Sequence, residues 1–159
     1  SMKTEMPDRE PMIAKLNEIL EHEMAGVARY THYSFMVFGF SRIPVVNWFR
    51  SAATETLTHA VEAGEMITLI GGYPSLRIGP LLETRRDDLR EMLREAMDFE
   101  IHGVDLYKQL LTLAVEAGSI TLEEYARGKI AEEALHIGDI DKMLRRPGNT
   151  TQAVKTEAP

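Results

Sequence analysis

No cysteine occurs in the 159 residues, so disulfides and thiolate metal sites are both excluded, and any bound metal must rely on nitrogen and oxygen ligands. The absence fits a reducing cytoplasm, the compartment expected here. Long apolar runs are missing as well. Nowhere does the chain offer the roughly 20 consecutive apolar residues of a membrane span, and Ser1 to Pro11 is polar, which predicts a soluble, unexported chain with no membrane partner. Ser1 ahead of Met2 reads as an artificial addition. Basic clusters are also lacking: 18 Lys and Arg face 25 Asp and Glu, a formal net charge of -7. Such a surface repels nucleic acid phosphates and attracts cations.

What is present is helical periodicity in four long segments, punctuated by proline and glycine. The first runs from Pro11 to Val37 with Leu16, Leu20, Val27 and Tyr30 on one stripe. The second starts at Pro44, carries Phe49, Ala52, Ala63, Met66 and Ile70 on one side, and stops at Gly71-Gly72. The third opens near Thr84, with Leu89, Leu93, Ala96 and Leu110 in line before Gly118. The fourth begins with a capping box at Thr121-Leu-Glu-Glu124 and continues through Ile130, Ile140 and Leu144. No segment alternates as a strand would. Helices of about 27 residues are about 40 Å long, so four of them predict an all-α, antiparallel four-helix bundle. Short loops make two hairpins, and the longer stretch from Gly71 to Glu83 serves as a crossover. The expected organisation is an N-terminal tail (1–10), one bundle domain (11–146) and a polar C-terminal tail without helix (147–159).

An internal repeat relates the two halves. Glu23-Met-Ala-Gly-Val-Ala-Arg-Tyr30 matches Glu100-Ile-His-Gly-Val-Asp-Leu-Tyr107 at four positions, and His59 and His136 each follow their glutamate by 36 residues. Around the histidines the chain reads Glu55-Thr-Leu-Thr-His59-Ala-Val-Glu62 and Glu132-Glu-Ala-Leu-His136-Ile-Gly-Asp139, with Met66 and Met143 seven residues beyond each histidine as core filler. Glu23, Glu100 and Glu133 occupy stripe positions where apolar residues belong, as do both histidines. Dehydrating an ion costs several kcal/mol, so three or four interior carboxylates rival the whole stability of a domain, roughly 5 to 15 kcal/mol. Two histidinium ions could neutralise only two of them. Oxygen ligands with imidazoles favour divalent iron, manganese or zinc, and a shared metal site is the economical solution.

From Leu16 to Leu144 these residues resemble the bacterioferritin branch of the ferritin-like superfamily. The resemblance implies that Glu23 and Glu100 each bind one iron, that Glu133-Ala-Leu-His136 supplies a bridging carboxylate and an imidazole, and that His59 serves the other iron. It also makes Tyr30 a redox-active tyrosine beside the centre and leaves Tyr107 structural. Two departures stand out. Thr56 occupies the place of the first bridging glutamate, with Glu55 as a stand-in from the neighbouring position. Leu57 occupies the place of the family's haem-binding methionine, so no haem is expected. The tail lacks the short fifth helix of the large shells, which puts a full cage in doubt and predicts a smaller homo-oligomer, at least a dimer.

By that resemblance the expected activity is ferroxidase chemistry, oxidation of two ferrous ions per subunit by dioxygen or hydrogen peroxide for iron storage or detoxification. If Glu55 faces solvent, the site holds one metal or binds the pair weakly, and the chain becomes a catalytically impaired subunit of a mixed assembly. A DNA-protecting mini-ferritin ranks last, because such proteins place the metal between subunits and often carry basic tails. No nucleic acid partner is expected.

Overall fold

The computed structural model describes residues 8–152. Four helices account for most of them: α1 (Glu10–Phe35), α2 (Arg42–Leu69), α3 (Leu89–Ala117) and α4 (Ile120–Leu144). The fold is an all-α four-helix bundle, with no strand among the described residues. Residues 147–152 carry no helix, and residues 1–7 and 153–159 of the two expected tails lie outside the described residues.

Three helix starts differ from the sequence expectation, each for a local reason. α2 begins at Arg42, ahead of Pro44, because the first turn of a helix has no use for the N–H that proline lacks. α3 starts at Leu89 and not near Thr84, since the Asp88 carboxylate accepts the Glu91 N–H at 3.2 Å and fixes the start there. α4 is capped by Ser119, whose hydroxyl accepts from the Leu122 N–H, so Thr121 lies inside the helix and the expected capping box does not form. Gly118 ends α3 in the left-handed region at φ 68°, and this leaves only one residue before α4 must begin.

Helix α1 packs along α2 and also on α3, and α3 packs along α4, whereas α2 and α4 approach each other mainly through side chains. The apolar interior is divided in two. One cluster holds Leu16, Ile19, Ala63, Ile67, Leu110 and Leu122 with Tyr107, and the other holds Val46, Phe49, Met92, Ala96 and Ile140 with Tyr30. A layer of buried charge separates them. Met66 packs against the first cluster as expected, but Met143 does not fill the core: it is 37% exposed.

The crossover, residues 70–88, is extended and strapped to α1. Asn17 holds it at two points, donating to the Tyr73 carbonyl at 3.1 Å and accepting the Ser75 N–H at 2.8 Å. Gly79 donates its N–H to the Glu21 carbonyl at 2.8 Å, and a Cβ at this position would stand 2.9 Å from that same oxygen, so only glycine allows the approach. Further along, Glu95 of α3 accepts from Tyr33, Arg29 and Thr84 at 2.6, 3.1 and 3.1 Å, tying α1 and the crossover to one carboxylate.

Candidate metal centre

The charged layer draws on every helix. Glu23 comes from α1, His59 from α2, Glu100 from α3, and Glu133 with His136 from α4. The first four are at most 6% exposed. His59 Nδ1 lies 3.0 Å from Glu133 Oε1 and 3.4 Å from Glu23 Oε2. His136 Nδ1 lies 3.7 Å from Glu100 Oε1 and 3.9 Å from Glu133 Oε2. Glu133 is therefore shared by the two imidazoles, one oxygen toward each. Tyr30 donates its hydroxyl to Glu100 at 2.5 Å, and Tyr107 does the same to Glu23 at 3.4 Å, so the repeat is visible in the hydrogen bonds.

Burial and mutual repulsion set the protonation of this layer. For Glu100, burial and the adjacent Glu133 push the carboxyl well above its ordinary range. Glu23 is raised in the same way, chiefly by burial. Glu133 goes the other way: burial disfavours its charge, but Glu100 and both imidazoles hold it as the carboxylate, well below the usual range. His59 is likewise disfavoured by burial, yet the Glu133 and Glu23 carboxylates outweigh this and raise it to about 11. In the metal-free protein, the His59 imidazolium thus takes the place of a bound cation.

That arrangement fixes a pH dependence. His59 contributes stability in full below the ordinary histidine value of 6.5 and loses it as pH rises toward about 11, and the raised Glu100 shifts the balance in the same direction from 4.5 upward. Glu133 acts oppositely, and its contribution is lost as pH falls below 4.5. Urea unfolding of metal-free protein is expected to show lower stability at pH 9 than at pH 6. A divalent ion should reverse this slope, since it binds the deprotonated groups. Equal midpoints at both pH values without metal would contradict the assignment of charge in this layer.

Thr56, where the resemblance calls for a carboxylate, is 4% exposed and gives its hydroxyl to the Ala52 carbonyl at 2.7 Å. Its methyl and the Phe99 ring both close on Gly26 of α1, each 2.8 Å from where a Cβ would stand. Glu55 does not join the inner carboxylates. It sits on the solvent side of α2, 4.0 Å from His59 Nε2, the nitrogen facing away from Glu23 and Glu133. Glu132 lies on that same side at 3.1 Å. Glu132 is not among the ligands expected from the sequence, because α4 periodicity alone does not show that α2 brings an imidazole within its reach. Leu57 is 45% exposed on α2.

Around His136 the surroundings are aromatic. The Trp48 and Tyr30 rings lie 5.5 and 6.0 Å from the imidazole, centroid to centroid, and Trp48 lines an open surface hollow with Pro44, Val45, Asp139, Lys142 and Met143. Around His59 they are ionic. The two histidines occupy equivalent backbone positions with unlike walls.

Two compact Glu/His sets emerge, Glu100–Glu133–His136 and Glu55–His59–Glu132, each with ligand atoms within 4.8 Å of one another. Two buried polar atoms of the layer, His59 Nδ1 and Glu133 Oε2, make no well-directed hydrogen bond, although His59 Nδ1 is ion-paired at 3.0 Å with Glu133 Oε1. A metal ion that replaces the imidazolium proton would take its ligands from these carboxylates and imidazoles, and the all-oxygen-and-nitrogen donor set suits iron. Fold and site together define a carboxylate-histidine four-helix bundle, with Glu/His clusters consistent with a di-iron cofactor and with chemistry between iron and dioxygen. Residues 13–147 match the ferritin-like domain family, and the chain belongs to it. A crystal structure of ferritin-like, diiron-carboxylate proteins from Bacillus anthracis str. Ames has a TM-score of 0.78 and 28% identity, covering 84% of this chain and 95% of that one. A search of curated proteins gives no significant match.

Proposed function

We propose that the chain is a bacterioferritin-type ferroxidase subunit, oxidising ferrous iron at an inner pair of positions for storage or detoxification. The observation that carries this reading is a layer of three buried carboxylates, one from each of three helices, gathered on two imidazoles with Glu133 placed between both. Glu23 with His59 Nδ1 would hold one ferrous ion, Glu100 with His136 Nδ1 the other, and Glu133 would bridge them. Two ferrous ions held there supply two electrons to one dioxygen or peroxide. The chain's own part is positional and protonic. Glu100 and Glu23 give up protons on binding, Tyr30 keeps its hydroxyl proton directed at Glu100, and the apolar clusters on either side exclude water.

The bundle is proposed as one domain over 11–146. No helix among the described residues is long and apolar enough to cross a membrane, and with no cysteine to oxidise we place the chain in the cytoplasm. A homo-oligomer, at least a dimer, is favoured by large apolar side chains on the surface: Phe38 is 72% exposed, Leu76 95% and Leu82 73%. The intra-chain position of both Glu/His sets speaks against the DNA-protecting mini-ferritin.

Thr56 favours one second reading, the catalytically impaired subunit. A single measurement separates the two. Aerobic addition of ferrous iron to pure protein, followed in the near ultraviolet, should show growth of ferric absorbance far faster than autoxidation in buffer. A trace no faster than the buffer blank selects the impaired subunit.

A further inference from the structure

Residues 24–54 contain no Asp or Glu, although 25 of the 159 residues in the chain are acidic, and they carry Arg29, Arg42 and Arg50. This acid-free stretch forms the half of the α1–α2 hairpin that holds the turn, residues 36–41. The core takes only part of the turn's apolar content. Val37 and Val46 are buried, whereas Phe40 is 110% exposed, and Phe38 and Ile43 are each 72% exposed. Gly39, at φ 100°, supplies a backbone state that side chains rarely adopt and sets Phe38 and Phe40 on the two arms of the turn. Large apolar side chains gathered at one loop tip mark a surface that something covers.

The charge beside this tip is positive. Arg29 is spent within the fold, paired with Glu95 at 3.1 Å. Arg42, in contrast, donates to the Val37 and Ser34 carbonyls at 2.6 and 3.3 Å, and Arg50 donates to the Ser34 hydroxyl at 3.2 Å, so both guanidiniums meet neutral oxygens and keep their charge. Five N–H donors each leave most of their capacity for an anion. The start of α3 and the end of α4 share this pole of the bundle, since Arg90 donates to the Leu144 carbonyl and Val37, Leu93 and Leu144 lie in one cluster. Their charges are of both signs and pair with each other, Arg145 with Asp141 at 2.7 Å and Arg86 with Glu91 at 3.7 Å. The buried acidic layer begins at Glu23, about 18 Å down α1 from its end, beyond the screening length of about 8 Å at physiological salt.

We propose that the α1–α2 turn docks on an anionic phospholipid bilayer, with Phe38, Phe40 and Ile43 entering the boundary between headgroups and acyl chains and Arg42 and Arg50 meeting lipid phosphates. The lack of a membrane-spanning run does not bear on this, because a chain that lies on a bilayer needs only an apolar contact and basic residues around it. Charge favours lipid over a second copy of the same turn. Two such turns would bring like-charged arginines together, whereas lipid phosphates complement them. Leu76 and Leu82 of the crossover stay available to a second copy, since they lie along the side of the bundle, where Ser75 is bound to Asn17 and the Leu82 carbonyl to Arg29. The tip rests on buried Val37, Val46 and Phe49, so it enters the boundary without opening the core. Nothing in this docking depends on which metal the charged layer holds.

Co-sedimentation of the full chain with sucrose-loaded vesicles tests this, using phosphatidylcholine alone and an equal mixture of phosphatidylcholine with phosphatidylglycerol. The wild-type chain should pellet with the mixed vesicles and stay in the supernatant with phosphatidylcholine alone. Phe40→Ser and Ile43→Ser, which change exposed side chains and leave the core intact, should each weaken binding to mixed vesicles at least about tenfold, the weight of one buried apolar side chain. Arg50→Gln should weaken it about fivefold, the weight of one arginine at an anionic surface. The proposal is overturned if the wild-type chain ignores the mixed vesicles, if it binds phosphatidylcholine alone as tightly, or if both serine variants bind like wild type. Sedimentation velocity without lipid supplies the rival outcome: if Phe40→Ser breaks up an assembly that the wild-type chain forms, the turn is an interface between copies and the bilayer assignment falls.

Discussion

Glu133→Ala is expected to lower the initial rate of ferrous oxidation at least about 100-fold, the upper range for loss of a group that orients a metal site. Glu133 is the one carboxylate that reaches both imidazoles, at 3.0 Å from His59 and 3.9 Å from His136. Removing it separates the inner layer into two halves with one carboxylate each and leaves the His59 imidazolium with Glu23 alone on its inner side. The near-ultraviolet ferric signal reports the loss, and circular dichroism of the variant guards against unfolding as the cause. A variant oxidising iron at the wild-type rate would defeat the bridging role. Residual slow oxidation is expected, because Glu23–His59 and Glu100–His136 each still offer a carboxylate and an imidazole.

Thr56→Glu is the converse experiment. It restores Glu-x-x-His on α2 and places a fourth carboxylate in a layer that already keeps Glu23 and Glu100 above their ordinary range. Without metal this should cost about 3 kcal/mol of stability, the penalty of a buried charge without a partner, read as a lower urea midpoint. With metal the sign reverses. The added ligand should tighten cobalt binding about tenfold or more, within the range that metal-site groups contribute, and raise the oxidation rate. A stability loss with no gain in affinity would show that the new side chain is directed away from the metal. Gly26 is constrained from two sides, since the Thr56 methyl and the Phe99 ring both occupy the place a side chain there would take.

The bundle was legible because its signals are local and repeated. Four periodic stretches, glycines at Gly71 and Gly118, and an equal 36-residue step from glutamate to histidine in both halves point to four helices with an inner charged layer. Helix starts were less legible. Ser119 and Thr121 are both good caps, and only the tight turn at Gly118 selects the first. Glu55 shows the sharper limit. Its sequence distance from His59 is right for a shared face, but a helix face does not reveal which imidazole nitrogen a neighbour meets, and this one meets Nε2. Glu132 was not read as a partner of His59 because their contact runs between α2 and α4, across a seam that no periodicity within a single helix describes. The same holds for Trp48, whose nearness to His136 depends on how those two helices face each other.

Trp48 is the chain's single tryptophan. Its ring is 5.5 Å from the His136 imidazole, while among the described residues no aromatic ring stands in such contact with His59, on the other half of the layer. Indole emission is quenched at short range by paramagnetic ions, so native fluorescence gives an unlabelled signal weighted toward the His136 half. Filling of the two halves becomes separable in time by fluorometry alone.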